Sequence, residues 1–133
     1  MTMIREPGDW QEDWCNFKPD EFRCSCCNRL EIASELLDVL QKAREALGAP
    51  LTITSAYRCP DHNSKVSSST GLSGPHTTGF AVDIHVSNSQ HRKLLISYFA
   101  DKVSGLGIAK TFIHIDLLNN DLGFDARPNC WLY

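Results

Sequence analysis

Apolar residues recur along residues 33–47 at Leu36, Leu37, Leu40, Ala43 and Leu47, the spacing that lays one hydrophobic stripe along a helix. Gly48 and Pro50 follow and predict its end. Residues 51–57 read as a strand. The pattern then vanishes over residues 58–79, which are rich in Ser, Gly, Pro and Asn and predict a long loop. Loops of that length in compact domains tend to be functional or disordered. Strict alternation returns over residues 80–86 and predicts a second strand. Ser87 and Gln90 stand as a capping box and open a helix whose Leu94, Leu95, Tyr98, Phe99 and Val103 share a face. Gly105 and Gly107 mark a turn into a last strand over residues 111–117. The first residues, up to Glu21, are polar with scattered rings (Trp10, Trp14, Phe17) and read as a lead-in that packs by those rings. The order predicts an α+β fold, a small antiparallel sheet with helices packed on one side. It forms one domain, residues 1–133, divided into a lead-in (1–21) and a core (22–133). No repeat or low-complexity tract interrupts it.

Composition changes this picture little. A chain of 133 residues with 42% hydrophobic and 22% charged positions is that of a globular domain large enough to bury a core. A net charge of -3 gives no electrostatic reason to expect nucleic acid or an anionic membrane as partner. No stretch approaches the roughly 20 apolar residues of a membrane span. Residues 1–12 hold no apolar run of the kind a secretion signal needs, so the expected site of synthesis and retention is the cytoplasm. A monomer is expected.

The six cysteines divide into a cluster, Cys24, Cys26 and Cys27, and three that stand apart, Cys15, Cys59 and Cys130. A C-x-C-C cluster suggests a zinc knuckle, but it lacks a fourth ligand and the paired spacing of zinc ribbons. Without an export signal the reading is reduced thiols, with room for one local disulfide. Cysteine chemistry is not where the function is expected.

The two late strands carry the chemistry. Side chains along a strand point alternately to opposite faces. Over residues 80–86 the even positions are all large and apolar, while the odd face shows Ala81, Asp83 and His85. Over residues 111–117 Ile113, Ile115 and Leu117 make the apolar face, and Phe112, His114 and Asp116 the other. If both strands share a sheet, two His and two Asp converge. His76 in the preceding loop adds a fifth group, with Pro75 fixing the backbone ahead of it and Gly79 allowing a tight turn. Two imidazoles and a carboxylate, with one position left for water, make a catalytic zinc site. Alternation alone is equally what a half-solvated strand shows.

Resemblance sharpens the reading. The run SGPHTTGFAVDI, residues 73–84, resembles the S-x-H-x-x-G-x-A-x-D signature of the zinc D-alanyl-D-alanine carboxypeptidases, which share a fold with the hedgehog signalling domain. FIHID, residues 112–116, looks like their second motif, and SAYRCPDHN, residues 55–63, is similar to the stretch before their metal loop. FRCSCC, residues 22–27, and the ending RPNCWLY look like the ends of a phage and prophage branch. The likeness thus runs from Phe22 to the last residue. It implies one zinc ion held by His76, Asp83 and His114, and a substrate carboxylate held by Arg58, whose planar guanidinium suits that task. A surface arginine after a strand is the plain alternative. Ser73 either bonds substrate or shapes its loop.

The proton-handling group is less clear in the pattern. Relatives place it two or three residues before the third ligand, where this chain has Phe112 and Thr111. Asp116 is the candidate for catalysis, with orienting a ligand histidine as its alternative role. His85 either stabilises an oxyanion or stands by. The implied activity is zinc peptidase action on the peptide stem of bacterial peptidoglycan, as a carboxypeptidase or as a stem-cutting endopeptidase of the phage endolysin kind. A cytoplasmic product would then reach the wall only after release, for example in phage lysis. Two other classes stand beside it: a zinc-bearing wall-binding module without turnover, and a structural protein held by zinc at the cysteine cluster. Replacing Cys24 and Cys26 would strip the metal only in the last.

Overall fold

Residues 2–67, 70–124 and 126–133 are described by the computed structural model of the protein. Helix α1 spans Ser34–Leu47 and ends where Gly48 turns left-handed at φ 63°, its N–H still bonding the Arg44 carbonyl. Leu36, Leu37, Leu40 and Ala43 are wholly buried on its inner stripe. Each such leucine contributes roughly 1.5–3 kcal/mol by leaving water.

Two sheets are present. A two-stranded antiparallel ribbon joins β1 (Met3–Ile4) to β2 (Ile32–Ala33). The main sheet holds β3 (Ile53–Ser55), β4 (Ala81–His85), β5 (Gly105–Ile108), β6 (Phe112–Asp116) and β7 (Asn129–Leu132), in the order β3-β4-β6-β5-β7. Its pairs are antiparallel except β5 with β7, which run parallel. The apolar face of β4 and β6, led by Val82, Ile84, Ile113 and Ile115, meets α1 and helix α3 (Ser89–Phe99). Ile4, Trp14, Phe17 and Phe22 complete this core from the N-terminal segment, and the Trp14 indole donates to Asp38 at 2.8 Å. The α+β class follows directly.

Five local expectations are revised. Residues 58–79 are not one loop: helix α2 (Pro60–Val66) and a 3₁₀ turn (Pro75–Thr77) lie within them. Helix α2 is short and buries only Asn63, so it has no apolar stripe for periodicity to reveal. It adds nothing to the core beneath the sheet and stands on the other side, next to the polar face. Helix α3 is capped by Asn88 rather than Ser87, the Asn88 side chain accepting from the His91 N–H at 2.8 Å. Only Leu95 and Phe99 of its expected face are buried, and Leu94 is 47% exposed.

Gly105 and Gly107 are strand residues of β5, not a turn. A Cβ on Gly105 would collide with the Asp116 carboxylate, and one on Gly107 would lie 2.7 Å from the Trp131 indole nitrogen. Glycine is needed there because neighbouring groups approach the backbone. The strand expected over 51–57 shortens to β3, and β7 is an edge strand that no alternation announced.

Candidate metal centre

The polar face of the sheet is organised in rows. Ser55, Asp83, His114, Gly107 and Trp131 stand opposite one another in turn across β3, β4, β6, β5 and β7. The next row on that face holds Ala81, Asp116, Gly105 and Asn129. Strand alternation puts Asp83 and His114 on this face, and register puts them side by side. His76 arrives from the 3₁₀ turn Pro75–Thr77. Its carbonyl accepts from the Arg58 N–H at 2.9 Å, which ties the turn to the end of β3.

Three buried atoms face one another. His76 Nε2 lies 3.1 Å from Asp83 Oδ1, and His114 Nδ1 lies 3.2 Å from each of them. A tetrahedral zinc ion with bonds of about 2.0–2.1 Å spaces its ligand atoms by roughly 3.3–3.4 Å. The triangle therefore has nearly the edge length of such a site. The groups behind it agree. The Ala56 carbonyl, 2.8 Å from His76 Nδ1, can only accept, so the proton sits on Nδ1 and Nε2 presents a lone pair. Asp116 Oδ2 lies 2.7 Å from His114 Nε2 and accepts the N–H of that ring, which leaves Nδ1 with its lone pair. Two bare imidazole nitrogens and a carboxylate oxygen then point at one spot. Such a set repels itself unless a cation sits between its members, and it fits zinc by donor type and by spacing.

Electrostatics point the same way. Burial would raise the Asp83 carboxyl, but protons that the His114 and His76 rings would share with it in the absence of a cation, and the charge they bring, hold it well below the usual carboxylate range. Asp116 is also pushed up by burial and pulled down more strongly by His114 and Arg127, to about 2. Burial disfavours a charged His114, yet the carboxylates of Asp116 and Asp83 on either side raise its pKa. The spot between these rings asks for positive charge.

The triad forms the floor of a cavity of about 580 Å³. Helix α2, Ser67 and Thr70 form one wall, with Arg58 and Asn63. Phe112, Trp131 and Tyr133 form an aromatic wall opposite, Trp131 lying 5.2 Å from the His114 ring. Arg58 is a cavity residue: its Nε donates to Ser55 Oγ at 3.1 Å, one Nη to Asn63 Oδ1 at 3.2 Å, and the other stands 3.5 Å from Asp83 Oδ2. Asn63 is anchored in turn by Thr70 and the Gly71 carbonyl.

Asp116 stands apart from the cavity. It is wholly buried behind His114 and does not line the cavity. Both its oxygens are engaged, Oδ1 by Arg127 Nε at 2.9 Å and the Leu118 N–H at 3.2 Å, Oδ2 by Arg127 Nη2 at 2.9 Å and by His114. His85 is exposed, faces Phe112 in register and also lies outside the lining. Ser73 is exposed three residues before His76, one further than in the signature it was matched to, and leaves the cavity to others. Sequence reading assigned no role to Ala56, Asn63, Arg127, Trp131 or Tyr133. The SAYRCPDHN stretch and the RPNCWLY ending gave the signals, both as resemblance.

No curated protein matches the chain. A family model described as peptidase M15 matches residues 15–116, a span that includes Arg58, all three converging residues and Asp116, and stops short of Arg127 and the aromatic wall of β7. A match over most of the chain, joined to a buried triad of zinc-ligand type, places the protein in the peptidase M15 family of zinc metallopeptidases.

Proposed function

We propose that the protein is a D-alanyl-D-alanine carboxypeptidase acting on the peptide stem of peptidoglycan, with zinc on His76, Asp83 and His114. The observation that carries this reading is Arg58, set in the cavity wall within reach of Asp83 and with part of its fork uncommitted. A guanidinium has five N–H donors, and contacts to Ser55, Asn63 and Asp83 leave room for a substrate's terminal carboxylate. A carboxylate anchored there lays the preceding peptide bond over the triad. Zinc supplies a Lewis acid for the scissile carbonyl and a means of activating water near neutral pH.

The chain's own groups do the rest. Asp116, clamped by Arg127, holds the His114 ring in one tautomer and orientation and is a positioning residue. Among the described lining residues Asp83 is the only carboxylate, which favours that role for Asp116 over proton transfer. Tyr133, whose side chain belongs to the cavity's aromatic wall, is placed to donate to charge developing on the carbonyl oxygen. Phe112 and Trp131 keep water from that side.

Mass spectrometry of stem peptides incubated with the zinc-loaded protein tests the proposal, with chelator and His114→Ala controls. Loss of one terminal alanine is expected. An internal cut would make the protein a stem-cutting endopeptidase, and no cleavage with zinc bound would make it a binding module.

A further inference from the structure

A second cluster of ligand-type side chains lies outside the cavity. The sulfurs of Cys24, Cys27 and Cys59 all stand within 4.8 Å of one another. Three thiolates on a tetrahedral zinc with bonds of about 2.3 Å would stand roughly 3.8 Å apart. The backbone builds the cluster. Arg23 and Leu30 form a bridge, the Cys24 N–H bonds the Arg29 carbonyl at 2.8 Å, and the Asn28 N–H returns to the Cys24 carbonyl at 2.8 Å. Asn28 closes this tight loop in the left-handed region at φ 63°. The loop brings Cys24 and Cys27, a C-x-x-C pair, to one side, and Cys59 comes from the start of α2.

Donors converge on the sulfurs. Cys24 Sγ accepts from the Cys59 N–H at 3.4 Å, and the N–H groups of Cys26 and Cys27 also favour its thiolate. Cys59 Sγ accepts from the His62 N–H at 3.4 Å. Several N–H groups aimed at one sulfur suit a thiolate, whereas a thiol or a disulfide sulfur is a weak acceptor with little use for them. The burial that would raise the Cys24 thiol is outweighed by these backbone donors, which bring it down to about 7.

We propose that Cys24, Cys27 and Cys59 hold a second and structural zinc ion, with Cys26 of the same loop as the fourth ligand. It staples the loop of residues 23–30 to the start of α2, the segment that carries Arg58 and Asn63 into the cavity wall. The inference rests on the cysteines alone and stands apart from the reading of the triad.

Elemental analysis of the reduced, zinc-loaded chain decides it. Two zinc ions per chain are expected in the wild type, one in His114→Ala and one in a Cys27→Ser/Cys59→Ser variant. Cobalt substitution should give a sulfur-to-metal charge-transfer band that His114→Ala keeps. One zinc in the wild type, lost in His114→Ala, would overturn the proposal. One zinc kept in His114→Ala and lost in the cysteine variant would support it and count against the triad instead. Should the cysteine variant not fold, thiol labelling of the wild type serves: zinc should shield these cysteines and a chelator should expose them, and labelling indifferent to zinc would overturn the proposal.

Discussion

Asp116 Oδ2 sits 2.7 Å from His114 Nε2, and that contact decides which nitrogen of the ring faces Asp83 and His76. The carboxylate cannot give a hydrogen, so the imidazole must, and Nδ1 is left with its lone pair. Arg127 grips the same carboxylate through two nitrogens at 2.9 Å. The centre is thus oriented from behind by a chain running Arg127, Asp116, His114.

Asp116→Ala should lower zinc affinity by about 10- to 100-fold, the usual effect of removing such a partner. Asp116→Asn, whose amide oxygen still accepts from Nε2, should lose less. A competition titration with a chelating dye measures both. Were Asp116 the proton-handling group, Asp116→Asn would instead abolish turnover with zinc affinity unchanged.

Gly105→Ala should destabilise the fold by about 1–3 kcal/mol, the range for overpacking a filled interior. The added methyl collides with the Asp116 carboxylate. Denaturant unfolding reads the loss, and zinc affinity should fall with it because His114 loses its fixed support. An open turn at this position would tolerate alanine in both measurements.

Arg58→Lys should reduce kcat/KM on stem peptides by about 10- to 100-fold, since a charged hydrogen bond is worth roughly 1.5–3 kcal/mol. Amidating the substrate's terminal carboxyl should cost the wild type a similar factor and the variant almost nothing. Steady-state kinetics on the two substrates separate this from a general loss of structure.

Zinc at 100 times its Kd for the triad should stabilise the folded chain by about 2.7 kcal/mol. His76→Ala should lose that increment. Thermal unfolding with and without zinc, in both proteins, provides the comparison. Equal stabilisation of the two would place the bound metal elsewhere than on the triad.

Much of this protein was legible in one dimension. Burial on one side of an element imposes a period, so α1, the two central strands and the polar faces bearing Asp83 and His114 were marked by alternation and helical spacing alone. The run around His76 pointed to that residue through resemblance, and in space His76 meets Asp83 and His114. What escaped has no period. Helix α2 buries only the polar Asn63, β7 is an exposed edge, and Leu94 reads as core although it faces out.

Roles were harder than places. Spacing set Asp116 on the same face as His114, but whether it faced the cavity or the interior depended on Arg127, eleven residues on, and on the bare backbone of Gly105 beside it. Cys24 and Cys27 were visible as neighbours, while Cys59, 32 residues after Cys27, joined them only when the loop of residues 23–30 met the start of α2. Local sequence determined which side chains each element presents, because those periods are properties of the backbone. Which of them touch, and which nitrogen keeps its proton, is set by contacts between distant segments, and only the tertiary structure decided that.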